Sequence, residues 1–154
     1  MLTIFWEIKK IPLANQKKVK IILQKAFSKV TVFALAHKLA KAEDISRQVN
    51  LILADQEKIQ QINREYRQRN KTTDVLSFAE IDNKQKSPHL RDPKLLGEIY
   101  LNYDWLAKDN FRDLEKLFFH GYLHLIGFDH EKDNGEMEEW EAKVLSSPVE
   151  NFAV

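Results

Sequence analysis

The chain has 154 residues, 44% hydrophobic and 31% charged, which suits one hydrophobic core and excludes a disordered polar chain. It contains no cysteine, which excludes a disulfide framework, a thiolate zinc site and a cysteine nucleophile together. The net charge of +1 conceals a division: residues 1–77 carry 15 Lys and Arg against 7 Asp and Glu, and residues 78–154 carry 9 against 16. Such a charge dipole gives one surface that attracts anions.

The remaining global features set expectations of their own. There is no run of eighteen apolar residues, so no transmembrane helix and no membrane partner are predicted. The start, Met1 to Glu7, lacks the basic region, apolar block and cleavage site of a signal peptide, which predicts a soluble cytoplasmic protein. Internal repeats and Gly/Ser linkers are missing as well, so residues 1–154 are expected to form a single domain.

In chain order, Leu2, Ile4, Trp6 and Ile8 alternate with other residues and predict a strand. Asn15 is placed to cap a helix whose apolar face is Val19, Ile22, Leu23, Ala26, Phe27 and Val30, continuing through residues 31–41. Val49 to Ala54 reads as a buried strand, and Asp55 as the cap of a helix carrying Ile59, Ile62 and Tyr66. Val75 to Ile81 predicts a third strand, residues 82–94 a loop rich in turn formers, and Leu95 to Asn102 a fourth strand neighbouring the third. Asp104 to Ile126 is expected as one helix and Asn134 to Leu145 as the last, presenting Met137, Trp140 and Val144. The fold class is α+β: a single four-stranded sheet covered by helices, with a histidine-bearing helix followed by a glycine turn.

That helix carries the chemistry. His120 and His124 lie four residues apart and so face one point, one turn above each other. His130 is about 240° off that face on a continuing helix, but Gly127 can adopt the left-handed conformation that turns the chain back toward it. Two further histidines at set offsets arise by chance on the order of 10⁻³. Three neutral imidazoles leaving a coordination position open fit one catalytic zinc ion, with iron, nickel and copper as alternatives. The spacing resembles the metzincin protease motif, yet Gly121 stands where those enzymes carry their glutamate base, which argues against proteolysis. A glycine inside a helix costs about 1 kcal/mol, and the expectation is that Gly121 clears space for a substrate beside the metal.

Upstream, Lys58, Arg64, Arg67, Arg69 and Lys71 are opposed only by Glu65. Arginine binds phosphate bidentately, so this cluster beside a metal suits a phosphodiester, with Arg64, Arg69 and Lys71 as candidate substrate contacts. Asp129 and Glu131 adjoin His130, either as the general base or, for Asp129 especially, as an acceptor that orients a histidine. The run Glu136, Glu138, Glu139 and Glu141 reads as the wet face of the last helix, and Trp6, Trp105 and Trp140 as core or helix-packing residues.

Asn63-Arg64-Glu65-Tyr66-Arg67, Thr73-Asp74-Val75-Leu76-Ser77-Phe78, Leu96-Gly97-Glu98-Ile99 and the block from His120 to His130 together resemble the YbeY family of bacterial endoribonucleases. The similarity holds in order and spacing over about residues 50–132. It implies a zinc-dependent, single-strand-specific endoribonuclease that acts in 16S rRNA 3′-end maturation and ribosome quality control, with the ribosomal small subunit or assembly factors as partners. His120, His124 and His130 match the family's metal ligands and Arg67 its essential pocket arginine, so catalysis is expected to depend on Arg67 and His124. The chain departs from the family pattern at Gln68, Thr72, Ala79, Glu98 and Phe128, none of them a proposed ligand. The alternative from another class is a zinc-containing assembly factor that binds rRNA without cleaving it.

Overall fold

The computed structural model describes residues 1–83, 89 and 91–148. Strands β1 (Leu2–Glu7), β2 (Gln48–Ala54), β3 (Val75–Ala79) and β4 (Leu95–Asn102) form one sheet in the order β1-β2-β4-β3. β1, β2 and β4 run parallel, and β3 lies antiparallel on the outer edge of β4, so the predicted neighbours do pair. Helices α1 (Leu13–Ala36), α2 (Ala42–Ser46), α3 (Gln56–Arg67), α4 (Tyr103–Lys108), α5 (Leu114–Leu125) and α6 (Glu136–Ser146) complete the α+β fold. No helix among the described residues is long and apolar enough to cross a membrane.

Both faces of the central strands are covered, which explains why β2 is an almost unbroken apolar run. Val49, Leu51 and Leu53 of β2, with Ile99 and Leu101 of β4, pack with α1, α5 and α6 through Leu23, Val30, Phe118, Tyr122 and Val144. Ile52 and Ala54 point to the other face, where they meet Leu76 of β3 and Ile59 and Ile62 of α3. α5 is therefore held against one face of the sheet and α3 against the other. The short antiparallel β3 lies at the edge between them.

Some element boundaries differ from expectation, each for a local reason. α1 begins at Leu13, because Pro12 presets the entry and its carbonyl accepts Gln16 N–H at 3.1 Å; Asn15 instead donates from Nδ2 to the Tyr103 hydroxyl at 3.0 Å. It ends at Ala36, where Lys38 takes φ 58° and closes the helix. β3 stops at Ala79, giving way to a short 3-10 turn over Glu80–Asp82 that buries Glu80 with its Oε1 accepting Asp92 N–H at 3.1 Å. Of the predicted 82–94 loop, residues 84–88 and 90 lie outside the described residues.

The helix expected over residues 104–126 is two helices. Asn110 and Phe111 both take positive φ, 53° and 61°, and this turn drives the Phe111 ring into the core at 4% exposure. Burying that ring offsets the about 1–3 kcal/mol that left-handed backbone costs a non-glycine residue. Trp105 is a further correction: it stands 54% exposed on α4 instead of in the core.

Candidate metal centre and its basic cleft

α5 buries Leu117, Phe118, Tyr122 and Leu125 against the sheet and α1, which leaves His120 and His124 half-exposed on its outer side. Their ring centroids are 4.8 Å apart. Past the helix end Gly127 takes φ 110°, Phe128 N–H donates to the Leu123 carbonyl at 3.0 Å, and Gly127 N–H donates to the His124 carbonyl at 3.1 Å. This left-handed glycine closure reverses the chain. It carries the His130 ring to 5.3 Å from His120 and 5.1 Å from His124.

Hydrogen bonds fix which nitrogens point inward. His124 Nδ1 lies 2.8 Å from the Phe128 carbonyl, which can only accept, so Nδ1 carries the proton and Nε2 offers its lone pair to the cluster. His120 Nδ1 lies 3.1 Å from Oε2 of Glu141, which α6 brings in 8% exposed. Nδ1 of His130 approaches Nε2 of His124 at 3.1 Å. Burial foremost, then the neighbouring His120, hold the His124 pKa below its ordinary value and keep the ring neutral, the form that binds metal.

The donor set fits a zinc ion. The ligand nitrogens of His120, His124 and His130 all lie within 4.8 Å of one another. Two nitrogens on one tetrahedral zinc, each at ~2.0–2.1 Å, sit about 3.3 Å apart, within reach of small side-chain rotations. A carboxylate and a backbone carbonyl behind the rings are the partners that metal-binding histidines commonly use to fix tautomer and orientation.

Opposite the histidines, the wall comes from the end of α3 and the segment after it. Asp55 caps α3, its Oδ1 accepting Lys58 N–H at 2.8 Å, and Gln68 ends it in the left-handed conformation. Arg67, the last residue of α3, donates from Nη2 to the Ser77 carbonyl on β3 at 2.9 Å, and its guanidinium lies 5.4 Å from the Phe78 ring centroid. Two buried asparagines brace the 68–74 segment. Asn63 Nδ2 donates to the Lys71 carbonyl at 2.8 Å, while Asn102 Nδ2 reaches Thr72 Oγ1 at 3.2 Å and the Thr73 carbonyl at 3.1 Å. Between the walls lies a cleft of about 280 Å³ lined by the three histidines and by Arg67, Arg69, Lys71, Asp74 and Glu131. Residues from the basic and acidic halves of the chain thus share one cleft.

Other sequence candidates sit elsewhere. Arg64 is exposed on α3 and does not line this cleft. Lys58 pairs with Glu7 at 3.8 Å. Asp129 accepts Glu131 N–H at 3.0 Å and lies 3.6 Å from Lys132 Nζ, and the Glu131 N–H foremost holds its carboxyl below the usual range. The carboxylate at a histidine ring is that of Glu141, so the reading of Glu141 as part of a wet face is corrected. Gly121 is corrected too. A Cβ there would come within 2.9 Å of Cγ2 and 3.2 Å of Cδ1 of Ile99, so the glycine lets α5 lie close on β4 and faces the sheet, not the substrate.

Glu141, Asn63 and Asn102 were missed from sequence, although two of them left a signal. Glu141 stands with Met137 and Val144 at i, i+4 and i+7, the spacing of a buried helix face. Asn63 follows Ile59 and Ile62 at i+4 and i+1 on the buried face of α3.

Known proteins share much of this sequence. An endoribonuclease YbeY of Campylobacter jejuni is 40% identical over 107 residues, covering 64% of this chain and 74% of the relative. One from Sulfurovum is 38% identical over 107 residues, covering 65% and 71%, and one from Syntrophus aciditrophicus 34% over 130 residues, covering 79% and 76%. The model of the endoribonuclease YbeY family matches residues 12–148, and the chain belongs to that family.

Proposed function

We propose that this protein is a cytoplasmic, zinc-dependent endoribonuclease that cleaves single-stranded RNA, acting on the 3′ end of 16S rRNA during small-subunit maturation and ribosome quality control. The observation that carries this reading is the convergence of His120, His124 and His130 in one cleft with Arg67, Arg69 and Lys71. Phosphate contacts from arginine and lysine supply affinity for a nucleic-acid backbone, and neutral imidazoles supply a metal site that costs the cleft none of its positive potential.

The three histidines hold the metal. Zinc in such a site contributes Lewis acidity toward a phosphoryl oxygen and acidifies water near neutral pH. Arg67, already oriented by the Ser77 carbonyl, offers its remaining N–H groups to the phosphate and stabilises the charge that develops there. Arg69 and Lys71 hold the strand on the braced 68–74 segment. Asp74 and Glu131 are the carboxylates in the cleft able to take the proton of the attacking hydroxyl, from water or from the ribose 2′ position.

The test is a time course on single-stranded RNA with wild type and Arg67→Ala, with and without a chelator. Cleavage that the chelator abolishes and that Arg67→Ala lowers about 10²–10³-fold supports the reading. Binding without cleavage by fully loaded wild type identifies a non-catalytic rRNA-binding assembly factor.

A further inference from the structure

Arg67 and Ser77 border two clefts, not one. The second, of about 540 Å³, opens on the α3 side of the sheet, and Tyr66, Phe78, Tyr100, Asp82 and Glu98 are among its lining residues. Tyr66 is 55% exposed, which leaves much of its ring in contact with solvent. Its position is fixed all the same: its ring stands edge-on to Phe78 at 5.7 Å, and Phe78 stands edge-on to Tyr100 at 5.9 Å.

We propose that this second cleft is a nucleobase subsite, which takes one unstacked base of the RNA whose neighbouring phosphate lies at Arg67, with Tyr66 as its stacking platform. The assignment rests on the proposed function only in taking RNA as the molecule bound at the histidine cleft. A braced, exposed aromatic ring beside a phosphate-binding arginine is the arrangement by which proteins hold single strands. A lining carboxylate decides between base and backbone as the occupant. The carboxylate of Asp82 repels phosphate, yet accepts hydrogen bonds from the amino and imino groups of a base edge. Burial foremost, with Glu98 adding to it, pushes the Tyr100 hydroxyl up to about 12, so it remains a donor at neutral pH. A base inside a duplex is unavailable to such a cleft, which gives the enzyme a physical basis for preferring single strands.

Zinc-loaded wild type, Tyr66→Ala and Tyr66→Phe are compared for binding and cleavage of a single-stranded oligoribonucleotide carrying 2-aminopurine at successive positions. Tyr66→Ala is expected to raise Kd and KM about 5- to 150-fold, the range for losing one base–aromatic stack, with kcat and zinc content little changed. Tyr66→Phe keeps the ring and retains wild-type values. In wild type one probe position shows the fluorescence quenching of stacking, and Tyr66→Ala loses it. Equal Kd, KM and quenching for Tyr66→Ala and a cleaving wild type overturn the subsite while leaving the nuclease reading intact. Tyr66-dependent binding without any cleavage overturns the nuclease reading and leaves the subsite standing.

Discussion

Glu141→Ala is expected to loosen zinc while leaving all three histidines in place. The Glu141 carboxylate is 8% exposed and lies 3.1 Å from Nδ1 of His120, close enough to set the ring's tautomer and hold Nε2 toward the cluster. A hydrogen bond to a charged partner contributes about 1.5–3 kcal/mol net. Acceptors behind metal-binding histidines are worth about 10–100-fold in metal affinity, which is ~1.4–2.7 kcal/mol, so the two estimates agree. Zinc Kd is therefore expected to rise about 10–100-fold in Glu141→Ala. Glu141→Gln keeps an acceptor oxygen without the charge and should fall between the variant and wild type. Competition against a chromophoric chelator measures the affinity, and thermal unfolding of the metal-free proteins separates loss of metal from loss of fold. A Glu141→Ala protein that binds zinc as tightly as wild type refutes the orienting role.

Gly121→Ala gains up to about 1 kcal/mol of helix propensity, but its methyl must displace Ile99, so the net change is a loss of about 0–2 kcal/mol by urea unfolding. A raised KM with unaltered stability would instead restore the idea that Gly121 makes room for substrate. The pH dependence follows from His124, which faces His120, His130, Asp129 and the Phe128 carbonyl. Its folded pKa is lowered, so as pH falls below about 6.5 the unfolded chain takes up the proton first; the stability present above that value declines in acid. The urea midpoint of metal-free protein should drop from pH 7 to 5.5, with a shallower slope in His124→Gln. A midpoint that rises on acidification, or an identical slope in the variant, contradicts this.

What was legible in the sequence was whatever period and spacing encode. Leu2 to Ile8 and Val49 to Ala54 announced their strands, and the offsets His120, His124 and His130 with Gly127 announced a reversed chain and a cluster of three imidazoles that could hold a metal. The break at Asn110 and Phe111 was hidden because Leu106, Leu114, Leu117 and Phe118 keep an apolar pattern on either side of it, and only tertiary burial of Phe111 pays the strain. Glu141 was hidden by its company, an acidic run in which a single member turns inward. The bracing by Asn102 reaches a segment 29 residues away, so no local pattern reports it, whereas Asn63 showed its burial beside Ile59 and Ile62 but not its partner, the Lys71 carbonyl. Gly121 showed its need for space but not the direction of that need, which Ile99 on β4 determines.

If the three histidines hold a metal required for RNA cleavage, as proposed, losing one of them removes the metal and the activity together. Zinc content and cleavage of single-stranded RNA, measured on wild type and His124→Ala purified side by side, test it most directly. The expected result is about one zinc per wild-type chain, a substantial loss of zinc in His124→Ala, and abolished cleavage by a variant that remains folded. A zinc-free His124→Ala protein that cleaves at the wild-type rate would contradict it.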